Sequence, residues 1–266
     1  MDCVARPETF KKLSHEHQIM DEKKSEPKEI NRMSNVEIIQ ELRKFDTATI
    51  CNVVATYPGS DICLKLYDAW YGEYYTDQTI RCMYPELGPL CGYAATAWYS
   101  ESSADYTKLD DWALFDHLDA TKKPIILVAK QTYPPELFNI SGLFGGNMTT
   151  EFKAMGVVGV VTDGPMRDYE EIKEMRVQYL ATGLTSGHGP LMLRGANIPV
   201  KVARMAVSPG DIIHMDVCGA AKFPERHLPK VLECAIELRK RELNYQSKFR
   251  APDFAYAKWK ELGEKY

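Results

Sequence analysis

Arg167 and Asp168 stand side by side just after a run of valines, and Glu171 follows three residues later. A carboxylate can hold a hard divalent cation, and the planar arginine fork can grip two oxygens of an anionic substrate at once. Upstream, Gly145-Gly146-Asn147-Met148 reads as a glycine turn feeding a helix. The first-turn N–H groups of such a helix are ready donors to a carboxylate or a phosphate. Each feature also has a plainer reading. Asp168 with Glu171 could be a capping-box-like helix start, worth about 1 kcal/mol, and Arg167 beside Asp168 could be a solvated surface pair. His188, in the Ser186-Gly187-His188-Gly189 loop, could touch a substrate or do nothing. Lys130 has the chemistry for a Schiff base, but a metal site makes that unnecessary.

The elements that must position these groups follow from periodicity. Val157, Val158, Val160 and Val161 form a strand apolar on both faces, hence one buried inside a sheet, that ends at the turn Asp163-Gly164-Pro165. Arg167 and Asp168 are thereby placed at the carboxyl end of a buried strand, where open α/β sheets hold their ligands. Further strands are expected at 125–128, 199–202 and 211–215, and helices at 112–120, 148–155, 168–176 and 228 to about 245. Val36, Ile39 and Leu42 behind Ser34-x-x-Glu37 mark a short capped helix. This alternation predicts an α/β layered domain over residues 35–245. Residues 1–34 alternate acids and bases with little apolar content and read as a tail or docking arm. Residues 246–266, with Phe254, Tyr256 and Trp259, read as a C-terminal arm packed on this or a neighbouring subunit. The aromatic stretch from Tyr67 to Tyr99 has no regular period and reads as core and interface packing, or else as a substrate wall.

Composition narrows the function classes. The 266 residues are 45% apolar and 26% charged, with a net charge of −4, as in ordinary globular proteins. A chain this long hides roughly 70% or more of its unfolded surface and needs no disulfide to fold. The seven cysteines never form a C-x-x-C clip, which argues against a zinc site and a disulfide framework. No Lys/Arg block points to nucleic acid. No apolar run approaches the ~20 residues that cross a bilayer. The N-terminus lacks the apolar core of a secretory signal, which predicts a cytoplasmic protein. There is no G-x-G-x-x-G, P-loop, G-x-S-x-G or H-E-x-x-H, so dinucleotide, P-loop, serine-hydrolase and zincin chemistry lack their anchors.

Gly146, twenty intervening residues, Arg167-Asp168, two more residues and Glu171 reproduce the G-x20-R-D-x2-E/D signature of the RraA-like proteins, which include 4-hydroxy-4-methyl-2-oxoglutarate aldolases. Phe45 to Asn52 resembles the family's opening helix and Gly92-Tyr93-Ala94-Ala95-Thr96 its G-x-A-x-T strand. Ser208 to Asp216, with Gly219 and Pro224, is similar to its closing segment. The resemblance spans residues 40–244. It implies a β/β/α sandwich of the swivelling type, assembled as a homotrimer or homohexamer with sites between subunits. It also implies a metal-dependent lyase that cleaves a C–C bond of a 4-hydroxy-2-oxo acid or oxaloacetate through a pyruvate enolate. In that reading Asp168 holds Mg²⁺ or Mn²⁺ mostly through waters, Arg167 steadies the enolate, and the Gly145, Gly146, Asn147 and Met148 amides hold the substrate carboxylate. His188 would contact substrate, and Glu242 or Glu237 from a neighbouring subunit would be the base. Two alternatives stay open: a non-catalytic regulator that binds a protein partner, and a lyase or hydratase for a larger substrate. The family usually has an acid where this chain has Ala129-Lys130, a departure that bears on the substrate.

Overall fold

The computed structural model describes residues 30–103 and 107–262; most of the expected N-terminal arm lies outside them. In chain order the strands are β1 (Ala55–Thr56), β2 (Tyr67–Asp68), β3 (Arg81–Cys82), β4 (Leu90–Ser100), β5 (Ile125–Thr132), β6 (Val157–Thr162), β7 (Gln178–Ala181), β8 (Met192–Ala196), β9 (Val200–Val202), β10 (Met205–Val207), β11 (Ile212–Asp216) and β12 (Gly219–Phe223). The α-helices are α1 (Asn35–Leu42), α2 (Thr47–Val54), α3 (Trp112–Ala120), α4 (Pro135–Phe138), α5 (Gly146–Ala154), α6 (Tyr169–Met175), α7 (Leu228–Arg250) and α8 (Tyr256–Leu262).

The main sheet runs β12-β11-β4-β5-β6-β7-β3, and β8 pairs with the far end of β4 on the edge that β11 also uses. Strands β4 to β7 are parallel, so their carboxyl ends lie together. Alternation along them separates the two faces. Ala95, Ala97, Ile125, Leu127 and Val160 turn toward α3, α5 and α6, whereas Ala94, Ile126, Val128 and Val161 turn toward the β9–β10 hairpin. Cys91, Tyr93 and Ile212 continue the first face under α1, α2 and α7. Hairpin, sheet and helices make the β/β/α layering that the resemblance implied.

Local chemistry sets the boundaries. Ser34 and Glu37 form the expected capping box at α1. Helix α7 runs past its expected end because Tyr245 and Phe249, four residues apart, bring their ring centroids to 4.8 Å. Phe249 also meets Phe254 at 5.3 Å and Trp259 at 5.2 Å, so α8 folds back on the tip of α7. Ile30 is already buried with α1 and α2. In the aromatic stretch Tyr74, Tyr84, Tyr93 and Tyr99 are buried, while Trp70 and Tyr71 are exposed. No helix among the described residues is long and apolar enough to cross a membrane.

Candidate active site at the carboxyl ends of the parallel strands

Three loops leave β5, β6 and β7 together and are laced by backbone hydrogen bonds. Leu143 N–H donates to Pro165 O at 3.0 Å and Arg167 N–H to Phe144 O at 3.2 Å. On the other side Met166 N–H donates to Gly183 O and Thr185 N–H to Met166 O, both at 3.0 Å. Gly142 N–H closes the set on Gly187 O at 3.0 Å. The segment that carries Arg167 and Asp168 is therefore held from both flanks. Paired backbone groups resist displacement because each lost bond leaves a polar group unsatisfied.

Glycines make room for the arginine. A Cβ on Gly142 would lie 3.4 Å from Arg167 Cδ, and one on Gly145 would lie 3.0 Å from its Cγ. The aliphatic stem of Arg167 rests on this bare backbone, leaving the guanidinium half-exposed at the crevice.

Asp168 has φ 58° and ψ 44°, the left-handed region. Aspartate tolerates it better than most residues, yet it still costs roughly 1 kcal/mol. Strain of this kind persists only where the surroundings over-determine it. Asp168 occupies the N-cap position of α6, but its side chain makes no capping bond there. The carboxylate crosses instead to the preceding helix, where Gly146 N–H donates to its Oδ2 at 2.9 Å. Its Oδ1 accepts from Arg167 Nε at 3.3 Å. The capping reading of Asp168 and Glu171 is thus corrected: the unusual backbone turns the aspartate away from its own helix. The Gly146 bond, and then the Arg167 contacts, hold the Asp168 carboxyl below the ordinary carboxylate range against the opposing effect of burial. Glu171 reaches the same place, its carboxylate occupying the space that a Cβ at Gly146 would need.

One expected role changes. Gly146 N–H is taken by Asp168, so it is not open to a substrate carboxylate. The following first-turn amides, of Asn147 and Met148, have no intrahelical acceptor. His188 is exposed, and its backbone bridges to Gly142 beside the crevice. Glu242 is half-buried on α7, which packs on α1 and α2. Lys130 is ion-paired with the buried Asp163. Burial raises the Asp163 carboxyl above its usual range, with Lys130 opposing that rise.

Sequence reasoning missed Tyr84. Its buried hydroxyl donates to Tyr169 O at 2.7 Å, and the two rings stack at 4.9 Å. Tyr84 therefore pins the first turn of α6, just after the left-handed Asp168. Tyr84→Phe should lower stability by about 1 kcal/mol, because the hydrogen bond from the Tyr84 hydroxyl to the part-buried Tyr169 carbonyl is lost; the urea midpoint reads it.

Among the described residues, no three His, Cys, Asp or Glu side chains converge as they would on a metal. What converges is one ionised aspartate with an exposed edge, and Glu171 on the same glycine peptide. That donor set is all-oxygen and sparse. It fits a hard divalent ion that keeps most of its waters, as Mg²⁺ does.

The family model for RraA-like (Aldolase/RraA) proteins matches residues 47–221. An uncharacterized protein of Methanocaldococcus jannaschii is 34% identical over 103 residues, 38% of this chain and 50% of that protein. The 4-hydroxy-4-methyl-2-oxoglutarate aldolase of Thermus thermophilus is 33% identical over 86 residues, 32% of this chain and 52% of the aldolase. The chain thus spans about half the length of these curated relatives. Among solved structures, RraAS2 of Streptomyces coelicolor, described as an unusual member of the RNase ES inhibitor RraA family, superposes with a TM-score of 0.60 at 20% identity, covering 79% of this chain and 96% of RraAS2. An uncharacterized protein of Pseudomonas syringae gives 0.60 at 18% identity over 82% and 94% of the two chains. These two share the fold. With the family model covering more than half of the sequence and the signature glycine, arginine and aspartate gathered at one crevice, the chain belongs to the RraA-like family.

Proposed function

We propose that this chain is a divalent-metal-dependent carbon–carbon lyase acting on a 4-hydroxy-2-oxo acid or on oxaloacetate. The observation that carries the reading is the Asp168 carboxylate, which leaves its own helix for Gly146 N–H and so meets Arg167 at the glycine-led turn. The Thermus thermophilus relative, named as an aldolase, supports the same chemistry.

The residues divide the work as follows. The Asn147 and Met148 N–H groups receive the substrate carboxylate at the positive end of α5. Asp168, with Glu171 beside it, holds the ion. When bound, Mg²⁺ or Mn²⁺ supplies Lewis-acid polarisation of the 2-oxo group. A base takes the proton from the C4 hydroxyl, the C3–C4 bond breaks, and its electron pair moves into a pyruvate enolate while C4 becomes a carbonyl. The Arg167 guanidinium faces the oxygen where that charge develops, and such a donor acts most strongly in the transition state. In oxaloacetate the same groups stabilise the enolate left when carbon dioxide departs. His188 borders the crevice for the rest of the substrate. Glu242 from a second copy serves as base, so the reading includes a homotrimer or homohexamer with sites between subunits.

EDTA should remove pyruvate release from 4-hydroxy-2-oxo acids and from oxaloacetate, and Mg²⁺ or Mn²⁺ should restore it. Turnover that survives EDTA contradicts the reading. No turnover on any 2-oxo acid, together with a stable heteromeric partner, replaces it with a binding function.

Gly145→Ala probes the geometry. The backbone there, at φ −127° and ψ −166°, suits alanine, but the new Cβ would take the place of Asp168 Oδ2. Mn²⁺ affinity should fall about 10- to 100-fold, as when a supporting contact of a metal ligand is lost, and the unfolding midpoint should fall modestly, because the Cβ also presses on the Arg167 stem. Calorimetric titration measures the first and urea denaturation the second.

A further inference from the structure

At the other end of the parallel strands lies a cleft of about 320 Å³ that the proposed chemistry does not use. It opens where β4, β5 and β6 begin, between α1 and the carboxyl end of α6, whereas the candidate active site lies where β5, β6 and β7 end. Its walls are apolar: Ile39 from α1, Leu87, Leu90, Pro124 and Val158. Arg43, Arg176 and Gln40 supply polar groups.

The two arginines have no carboxylate partner among the described residues. Glu41, two residues before Arg43, pairs with Lys44 at 2.7 Å, and Glu86, next to Leu87 of the wall, pairs with Lys173 at 3.8 Å, while Glu174, two residues before Arg176, is exposed and makes no ion pair with it. Arg43 is oriented rather than loose, because its Nε donates to Pro89 O at 3.1 Å. Its terminal nitrogens are left for another acceptor. Cys91, beside Arg43 in the wall, is buried, and burial raises its thiol well above the ordinary range, so it stays neutral and does not cancel the arginine charge. Arg176 enters from the C-cap of α6, in a left-handed conformation at φ 56°.

Two uncompensated guanidinium groups over an apolar floor match a molecule that is anionic at one end and apolar at the other. We propose that this cleft binds a small amphipathic carboxylate. Its volume equals roughly ten water molecules' share of the liquid and sits at the lower end of the ~300–1,000 Å³ range of small-ligand sites. That suits an acid of about six to eight carbons. Arg43 and Arg176 take the carboxylate, and Val36, Leu87 and Val158 cover the chain. The proposal does not rest on the lyase reading.

Hexanoate, hexanol and inorganic phosphate, each titrated into the full chain and followed by amide NMR, test it. Hexanoate should bind saturably, with shifts centred on residues 36–43 and 87–91. Hexanol and phosphate, each carrying half of the chemistry, should bind at least about tenfold more weakly. Arg43→Gln combined with Arg176→Gln should weaken hexanoate by about tenfold or more. Both side chains are exposed, so the fold should survive, and each single variant should show a smaller loss in the same direction. Equal affinity for hexanol or phosphate, shifts centred on residues 142–168, or unchanged hexanoate affinity in the double variant would overturn the proposal. So would dissociation of an oligomer by the double variant, which would assign the cleft to an interface between copies.

Discussion

Asp168→Asn should lower pyruvate release by about a thousandfold or more, the several kcal/mol that a bound metal contributes to stabilising developing charge. The fold should barely respond. Asparagine accepts a left-handed backbone as readily as aspartate, and its side-chain oxygen can still accept from Gly146 N–H, the bond that aspartate makes at 2.9 Å. What disappears is the negative charge. Steady-state rates with saturating Mg²⁺ measure the first effect and the urea midpoint the second. An ordinary helix cap would keep turnover as well, because asparagine caps a helix about as well as aspartate. The pH dependence follows from the same contacts. Because the folded protein holds this carboxyl below its ordinary value, Asp168 stays ionised from neutral pH down through about pH 4, the ordinary carboxylate value. Its small contribution to stability is complete above the unfolded value and is lost only as pH falls through the lower, folded one. An inflection in rate between about pH 5 and 8 must therefore come from another group.

Arg167→Lys should reduce kcat by about 100- to 1,000-fold, the loss seen when one donor to a developing oxyanion is removed. Lysine keeps the charge but not the planar fork, and it has no second nitrogen to bridge Asp168 and substrate together. The stem resting on Gly142 and Gly145 is nearly the same in both residues, so stability should change by less than about 1 kcal/mol. Mn²⁺ affinity should also hold, because Arg167 meets Asp168 at the long end of hydrogen bonding, 3.3 Å. Rates, metal titration and urea unfolding on one variant separate these effects. A parallel fall in metal affinity would show that Arg167 serves chiefly to orient the aspartate.

The sequence carried the elements whose signals are local. Ser34 and Glu37 announce α1, strand β6 is a valine run, and α3 falls at the expected residues 112–120. Strands that depend on distant partners were not legible. Strand β7 is four residues long and buried throughout, and its Gln178 is acceptable there because its amide clamps the backbone of Tyr84, 94 residues away. Strand β12 opens Gly-Ala-Ala, poor strand formers that a place beside β11 overrides. In the site, the spacing from Gly146 to Asp168 was visible, but the left-handed backbone that turns the carboxylate across the crevice was not. No residue-type rule marks an aspartate for φ 58°. Tyr84 was hidden for the same reason as β7: its role exists only once β3 and α6 lie together.

Asp168 and Arg167 are proposed to build a metal-assisted anion site on the turn before α5. Mn²⁺ titration with and without oxalate, which resembles the pyruvate enolate, tests it most directly. One Mn²⁺ per chain should bind, oxalate should tighten it, and both effects should vanish in Asp168→Asn. Unaltered Mn²⁺ and oxalate binding in that variant would contradict the account.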